Sequence, residues 1–448
     1  MAADTDGVLI LGAGAAGLAC GEELFRLGIP FTILEARDRI GGRAFTDYGL
    51  APGLPLELGA QMIHGRHVLT HRWVRAAGLS TRPWPVGQRA LFSLNGRLCR
   101  FPWLALPGYP GFGFRSFYEG TRTLPRKLRT MGRPDCTLAA FLERQSPSLG
   151  ARRLIELLHA HVYAADPDAI GVRGPAEEER RAHEEFGYRN FRLNEGYSEL
   201  FRRRSAPFRD RIRTGVHVSA VRYSDQGVRV ETTAVASGSP VSFEGRAAVV
   251  TVPLGVLKSG AIDFDPELPE AKRRAIQRIA FGMGYALQLR LAGTDLRDQF
   301  GDFSLVWAGG STTFHRPGVR RRGLPEVITA FTVGKEAGRR AAMDPEERVA
   351  ATLVELSSAL PERSRIGAPQ QQSVHLWPVD PLALGAYSFL PPDVDPTARE
   401  QLSAPVGGTL FFAGEATNWR GESATVHGAI ETGYRAAEEV HTALHRAS

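Results

Sequence analysis

The strongest chemical signal in the chain is a run of small residues, Gly12-Ala13-Gly14-Ala15-Ala16-Gly17, followed by an acid, Glu35, 18 residues after the last glycine. Glycines in this GxGxxG spacing do three jobs. Gly12 permits a tight turn, Gly14 lets backbone approach a pyrophosphate, and Gly17 lets a helix and a strand pack closely. A helix that begins here, through Ala16, turns free N–H groups and the positive end of its dipole toward the phosphates. Glu35 stands where a ribose hydroxyl would be accepted, and it disfavours a 2′-phosphate because two anions would repel. A second phosphate-reading turn follows at once in Glu35-Ala36-Arg37-Asp38-Arg39-Ile40-Gly41-Gly42-Arg43. Gly41-Gly42 gives a close backbone turn, and Arg43 supplies a fork of donors for phosphate oxygens. A nicotinamide dinucleotide gives no reason for that second turn.

These residues need a β-α-β unit to hold them. The apolar run Val8–Leu11 reads as a strand leading into the glycines. Leu18, Leu24, Leu27 and their neighbours read as an amphipathic helix ending at Gly28, and 31–34 reads as a second strand closed by Glu35. The motif therefore sits in the strand, helix, strand and acid context that gives it meaning.

Composition bounds the rest. At 448 residues the chain has about three domain-sized units, and 43% hydrophobic with 23% charged residues is ordinary globular usage. Three cysteines, Cys20, Cys99 and Cys136, lie far apart without CxxC spacing, which excludes a zinc ribbon or disulfide scaffold. The formal charge is +7, and only four of the 55 basic residues are lysines (Lys127, Lys258, Lys272, Lys335). The short basic runs 202–204 and 320–322 lack interleaved aromatics, so no nucleic-acid partner is expected. No basic n-region opens the sequence and no run of 18 apolar residues exists, so the expectation is a cytoplasmic enzyme with no membrane partner.

The double fingerprint resembles that of the flavin amine oxidase family, and the likeness recurs along the chain. Glu57-Leu58-Gly59-Ala60-Gln61-Met62-Ile63-His64-Gly65 looks like the segment that runs along the flavin. Gly196-Tyr197-Ser198 with Leu200 resembles the return into the cofactor domain, and Val218-Ser219-Ala220-Val221 the strand whose backbone meets adenine. Ala248-Val249-Val250-Thr251-Val252-Pro253-Leu254-Gly255-Val256-Leu257-Lys258, with Phe264-Asp265-Pro266 and Leu268-Pro269 after it, is a specific match. Trp377 and Gly385-Ala386-Tyr387-Ser388 resemble the segment bearing one wall of the substrate cage. Phe412-Ala413-Gly414-Glu415-Ala416-Thr417 and Ala424-Thr425-Val426-His427-Gly428-Ala429 resemble the closing flavin motif. The pattern is most similar to the polyamine oxidase and histone demethylase branch.

The resemblance implies an α/β fold of two domains, like that of p-hydroxybenzoate hydroxylase. One is a discontinuous Rossmann-type FAD-binding domain at 1–75, 190–285 and 380–448. The other is an α+β substrate-binding domain, mostly helical at 76–189 and sheet plus helix at 286–379. Within it, 152–161 has helical patterning, while Ala286-Leu287-Gln288-Leu289-Arg290-Leu291 alternates like a half-buried strand. Of the aromatics Phe303, Trp307, Phe314 and Phe331, most are expected in the core and some in a pocket wall. The cofactor contacts implied are Gly12, Gly14, Ala16, Gly17, Glu35, Ala36, Arg37, Gly42 and Arg43, then Gly59, Ala60, Gln61, Met62, Val218 and Trp377, then Gly414, Glu415, Thr425 and Val426.

Amine oxidation in this family moves a hydride from the carbon beside nitrogen onto flavin N5, and the amine must first be neutral. Deprotonating an amine of pKa ~10.4 at pH 7 costs roughly 4.6 kcal/mol in water, and a dry pocket lowers that cost by desolvation. The resemblance places Tyr387, Thr425 and His64 at the reacting end. Tyr387 is an aromatic wall able to attract a cation. Thr425 stands where monoamine oxidases have a second tyrosine. His64 is a hydrogen-bond partner for the substrate nitrogen, its ordinary pKa near 6.5 making it a poor base for ammonium. His427 is read as structural. Ala386 occupies the place of the flavin-bonding cysteine, so FAD is expected to be non-covalent. Ala286 occupies the place of the usual lysine beside flavin N5, so oxygen reactivity or imine hydrolysis is expected to be altered.

The expected substrate is a small amine, with a polyamine or secondary amine preferred, and O2 or another acceptor takes the electrons. An α-amino acid would need an arginine where Met62 stands, though other arginines leave that reading open. A specialised-pathway amine dehydrogenase, a C–C desaturase and a non-catalytic flavoprotein are the remaining alternatives. Histone demethylation is not expected without a coiled-coil insert. A homodimer is left open.

Overall fold

The computed structural model describes residues 3–4, 7–84, 90–94, 97–100, 118–130, 135–187, 189–292, 298–299, 301–307, 310–361 and 364–446. Of the first insert, 101–117 lies outside the described residues.

Its organising element is a five-stranded parallel sheet, ordered Ile212–Thr214, Phe31–Glu35, Val8–Leu11, Ala247–Val250 and Leu410–Phe412. The central strands are apolar on both faces because both are covered, one by the helices Ala15–Arg26 and Val426–Arg446 and the other chiefly by a second sheet. Val8 to Leu11 have no exposed surface. The expected β-α-β unit is Val8–Leu11, the helix Ala15–Arg26 and Phe31–Glu35. Gly17 is what allows it: a Cβ there would lie 2.0 Å from the Gly12 carbonyl oxygen. The long C-terminal helix Val426–Arg446 lies against Ala15–Arg26, sharing one core with the sheet.

A second sheet caps the first. Its strands Pro240–Gly245, Gly227–Ala234, Val216–Ser224 and Asp263–Asp265 pair in that order. The register slips between Val218 and Ala220, a bulge that leaves Ser219 out of the ladder beside Val218.

The other part of the molecule is built on a seven-stranded sheet ordered Pro369–Val374, Gly284–Leu291, Val327–Val333, Thr312–His315, Leu305–Trp307, Ala90–Leu94 and Arg97–Arg100. Residues directly opposite in an antiparallel sheet share a face, as do residues two apart along a strand. One row runs Ala286, Phe331, Thr313 and Trp307; the next runs Gln288, Thr329, His315 and Leu305. Phe331 reaches the cavity described below, whereas Phe303 and Phe314 belong to the core of this sheet. The first insert thus supplies strands 90–94 and 97–100 to the sheet as well as helices.

The helical patterning at 152–161 falls within a run, Leu149–Ile155, Glu156–Ala160 and His161–Tyr163, whose middle segment is a π-turn. Such turns insert a residue and re-aim side chains, and they gather at functional sites. Here the turn brings both His159 and His161 to the cavity.

Candidate functional site

A cavity of about 570 Å³ runs between the parallel sheet and the seven-stranded sheet. Every site residue expected from the sequence lines it except Gly17, which sits behind Gly12. It therefore gathers residues from positions 11 to 429.

At one end lies the glycine turn. The helix Ala15–Arg26 starts at Gly14 with no side-chain cap, and Gly14, Ala15 and Ala16 face the cavity. A Cβ on Gly14 would have no atom within 4 Å, so that position opens onto empty space. Uncapped N–H groups beside open space are a cradle for an anion. Glu35 is pinned beside it, one oxygen accepting from Ala13 N at 2.7 Å and the other from Arg37 N at 2.9 Å. Burial pushes its carboxyl pKa up while those two N–H groups hold it down. Each oxygen keeps a lone pair for a ribose hydroxyl.

Arg37 and Trp377 are bound into a small network. Arg37 pairs with Asp380 at 2.8 Å, and His375 also donates to Asp380. Burial opposes ionisation of Asp380, but His375, Leu382 N–H and Arg37 together bring it down to about 2. The Trp377 indole donates to Leu58 O at 2.8 Å, which fixes the start of the segment 59–62.

Arg43 departs from the expected free fork. Both terminal nitrogens lie 3.1 Å from Glu415 Oε1, and one also donates to Ala386 O. The reason is Glu415 itself, a buried carboxylate that needs a counter-charge. Glu415 also accepts from the Ser388 hydroxyl at 2.7 Å and from Ala424 N at 3.0 Å. One ion pair therefore joins the N-terminal fingerprint, the Tyr387 segment and the C-terminal motif.

Tyr387, Thr425 and His64, the residues expected at the reacting end, all line the cavity. Tyr387 packs beside Ala164, Phe331, Val333 and Ala386, and its hydroxyl reaches His161 O at 3.4 Å. The Thr425 hydroxyl is already spent, donating to Glu422 O at 2.6 Å and accepting from Gly428 N at 2.9 Å. It offers the cavity a small side chain, not a donor.

His64 opens onto the cavity, and its Nδ1 lies 2.9 Å from Asn190 Oδ1. An amide oxygen only accepts, so Nδ1 carries the proton and Nε2 is left as a lone-pair acceptor. Desolvation by the surrounding protein lowers the His64 pKa, so the ring is neutral near pH 7.

Six of the twelve histidines line this cavity. Burial lowers His159 and His161 to about 4, and His315 and His427 to about 3. These four are uncharged at pH 7 and present no positive charge to an incoming cation. The lining carboxylates are Glu35, Glu177, Glu179, Glu415 and Glu422. Ala286 faces the cavity at the edge of its row, and no lysine lines the cavity among the described residues. Lys258 caps a helix end through Ile276 O, Gln277 O and Ile279 O, and Lys272 holds Gln401 O and Leu402 O.

Sequence reasoning missed Asn190, His159, His161, Thr313, His315 and Glu422 as cavity residues. Asn190 carried one signal, a polar residue at the start of the short strand Asn190–Leu193. The others carried none, because a π-turn and a sheet register bring them in.

A parallel sheet with a double phosphate turn, set against a sheet that walls a deep cavity, defines a flavoenzyme of the oxidoreductase class. The chain belongs to the flavin containing amine oxidoreductase family, whose model matches residues 15–441. It is an FAD-dependent amine oxidoreductase. It is similar to polyamine oxidase 5 of Oryza sativa subsp. japonica, 28% identical over 96% of this chain and 87% of that one. It is also 28% identical to lysine-specific histone demethylase 1 homolog 2 of Arabidopsis thaliana, over 97% of this chain but only 58% of that protein. Two solved structures share the fold. Wild-type putrescine oxidase bound to putrescine matches with a TM-score of 0.81 at 20% identity, covering 99% of this chain and 100% of that one. Cyclohexylamine oxidase from Brevibacterium oxydans IH-35A matches with a TM-score of 0.80 at 23% identity, over the same shares. No helix among the described residues is long and apolar enough to cross a membrane.

Proposed function

We propose that this protein oxidises a small amine, preferably a polyamine or secondary amine, to an imine that then hydrolyses, with O2 or another acceptor taking the electrons. FAD, when bound, accepts the hydride at its N5. The observation that carries the reading is that Tyr387, Thr425 and a His64 whose Nε2 is an acceptor line one cavity together with the glycine turn and Glu35.

The residues divide the work. The glycine turn, Glu35 and the segment 59–62 hold the cofactor, with Val218 and Trp377 flanking it. Ala386 at the position of the flavin-bonding cysteine supports non-covalent binding. Glu177 and Glu179 on the cavity wall favour a cationic amine, whereas burial raises the Glu422 carboxyl to about 7 and Arg181 stands 3.7 Å from it. Inside, the ammonium loses water, which lowers its pKa. His64 Nε2 accepts its N–H and holds the nitrogen, and the Tyr387 ring walls the carbon beside it. No protein group needs to be a strong base.

The discontinuous division at 1–75, 190–285 and 380–448 against 76–189 and 286–379 is supported by the two main sheets, whose strands come from these alternating stretches.

Anaerobic mixing of the holoenzyme with amines, polyamines and amino acids tests the reading through the oxidised flavin band. Bleaching by an amine class is expected. If no amine bleaches it, the reading is wrong and a C–C desaturase or a non-catalytic flavoprotein takes its place.

A further inference from the structure

The cavity end farthest along the first sheet row, beyond Phe331, carries polar atoms that the mechanism does not use. His161 lies edge-on to Trp307, ring centres 6.1 Å apart, and its Nε2 donates to Gly310 O at 3.3 Å. That fixes the proton on Nε2 and leaves Nδ1 as an acceptor. His315 shares a hydrogen bond with the Thr313 hydroxyl, 3.0 Å from Nε2. The Nδ1 atoms of both rings are buried without a partner among the described residues. His161 is 8% exposed and His315 6%, and both line the cavity. Buried polar atoms are nearly always satisfied, so two orphans facing one cavity point to a ligand group that meets them.

The charges around them restrict that group. Arg192 is buried behind Gln61, donating to Gln61 Oε1 at 3.0 Å, and its cross-strand partner is another arginine, Arg82. Arg192 already pushes the His315 pKa down. A second ammonium here would face that positive charge. A carboxylate would face the His161 lone pair.

We propose that His161 and His315 form a subsite for an uncharged hydroxyl or carboxamide at the end of the substrate remote from the reacting nitrogen. The proposal rests on the amine-oxidation reading and narrows its substrate class, setting aside the polyamine preference for a monoamine that carries a remote uncharged polar group. With the Thr313 hydroxyl donating to His315 Nε2, His315 Nδ1 carries the proton; a hydroxyl can then donate to His161 Nδ1 while its oxygen accepts from His315 Nδ1, and a carboxamide can do so with its N–H as donor and its carbonyl oxygen as acceptor.

Four probes of equal length test it: 5-amino-1-pentanol, pentylamine, cadaverine and 5-aminopentanoate. Each is mixed anaerobically with the holoenzyme, and its Kd is read from the concentration dependence of flavin bleaching. The aminoalcohol is expected to bind about tenfold tighter than pentylamine, since a site built to hold a hydroxyl rejects the analogue that lacks it. Cadaverine and 5-aminopentanoate are expected to bind more weakly still. In His161→Phe and His315→Phe the ratio between pentylamine and aminopentanol is expected to collapse toward one. The inference is overturned if pentylamine binds as tightly as the aminoalcohol, which would mean water alone fills the subsite, if cadaverine or 5-aminopentanoate does, which would mean the subsite takes a charged group, or if both variants keep the ratio. If none of the four bleaches the flavin while another amine does, the subsite fails and the amine reading stands. If no amine bleaches it, the amine reading itself fails.

Discussion

Asn190 Oδ1 stands 2.9 Å from His64 Nδ1, across the register that pairs these two residues on adjacent strands. One side chain thereby sets the tautomer of the other, and the ring presents an acceptor to the cavity.

Removing that partner is the first prediction. In Asn190→Ala the ring is free to turn and to exchange tautomers. Flavin reduction by a good amine should slow by about fivefold, the equivalent of roughly 1 kcal/mol for one hydrogen bond. The Asn190 contact also raises the His64 pKa against the lowering by burial. Its loss should therefore move the acid limb of the reduction rate to lower pH. A pH profile that does not move would show that Asn190 only packs.

The cofactor cradle gives a contrast between two glycines. Gly14→Val projects into open space, so the chain should fold but purify with little FAD, read as the ratio of flavin to protein absorbance. Gly17→Ala places a carbon 2.0 Å from the Gly12 carbonyl, so it should lower the melting temperature of the apoprotein as well. Equal losses in both variants would contradict the cradle.

Ala286 faces the cavity where its family usually has lysine, and none of the four lysines reaches the cavity. Reoxidation of the reduced enzyme by air should be slow, and Ala286→Lys should speed it by about tenfold or more, since a cation beside a developing negative charge stabilises it. Stopped-flow mixing with oxygenated buffer measures both. Fast reoxidation of the unaltered enzyme would count against this.

Asp380 makes a pH prediction. Its folded pKa is about 2 against an ordinary 3.8, so its ionised form favours the fold. That contribution is fully present above pH 4 and is lost as pH falls through the folded value. It amounts to at most about 2 kcal/mol. Asp380→Asn should therefore lower the melting temperature at pH 7 and lower it progressively less toward pH 3. A constant difference across that range would exclude the ion-pair account.

The cofactor half of the site was legible because its residues answer local demands. Gly17 must be glycine for one close contact, and Glu35 must end a strand that begins 4 residues earlier. Tyr387 and His64 were found through motifs of the same local kind. What stayed hidden was set at long range. Arg43 reads as a phosphate fork until Glu415, 372 residues away, is seen to hold it. His161 and His315 have no local signature. A π-turn aims the first, and the pairing of Leu305–Trp307 with Thr312–His315 aims the second. The spent hydroxyl of Thr425 was equally invisible, because its partners lie in its own loop and helix start and leave no mark in a motif.

The Arg43 to Glu415 pair also has a bearing on how the chain is made. The strand Val8–Leu11 is made long before Leu410–Phe412, yet its sheet is finished only when that strand arrives, and Arg43 meets its counter-charge three residues later still. A nascent chain carries a fully translated phosphate turn through most of its synthesis with no closed pocket around it. The cofactor pocket thus closes only once the strand Leu410–Phe412 and Glu415 have been made, so this C-terminal stretch acts as a clasp on the N-terminal fingerprint.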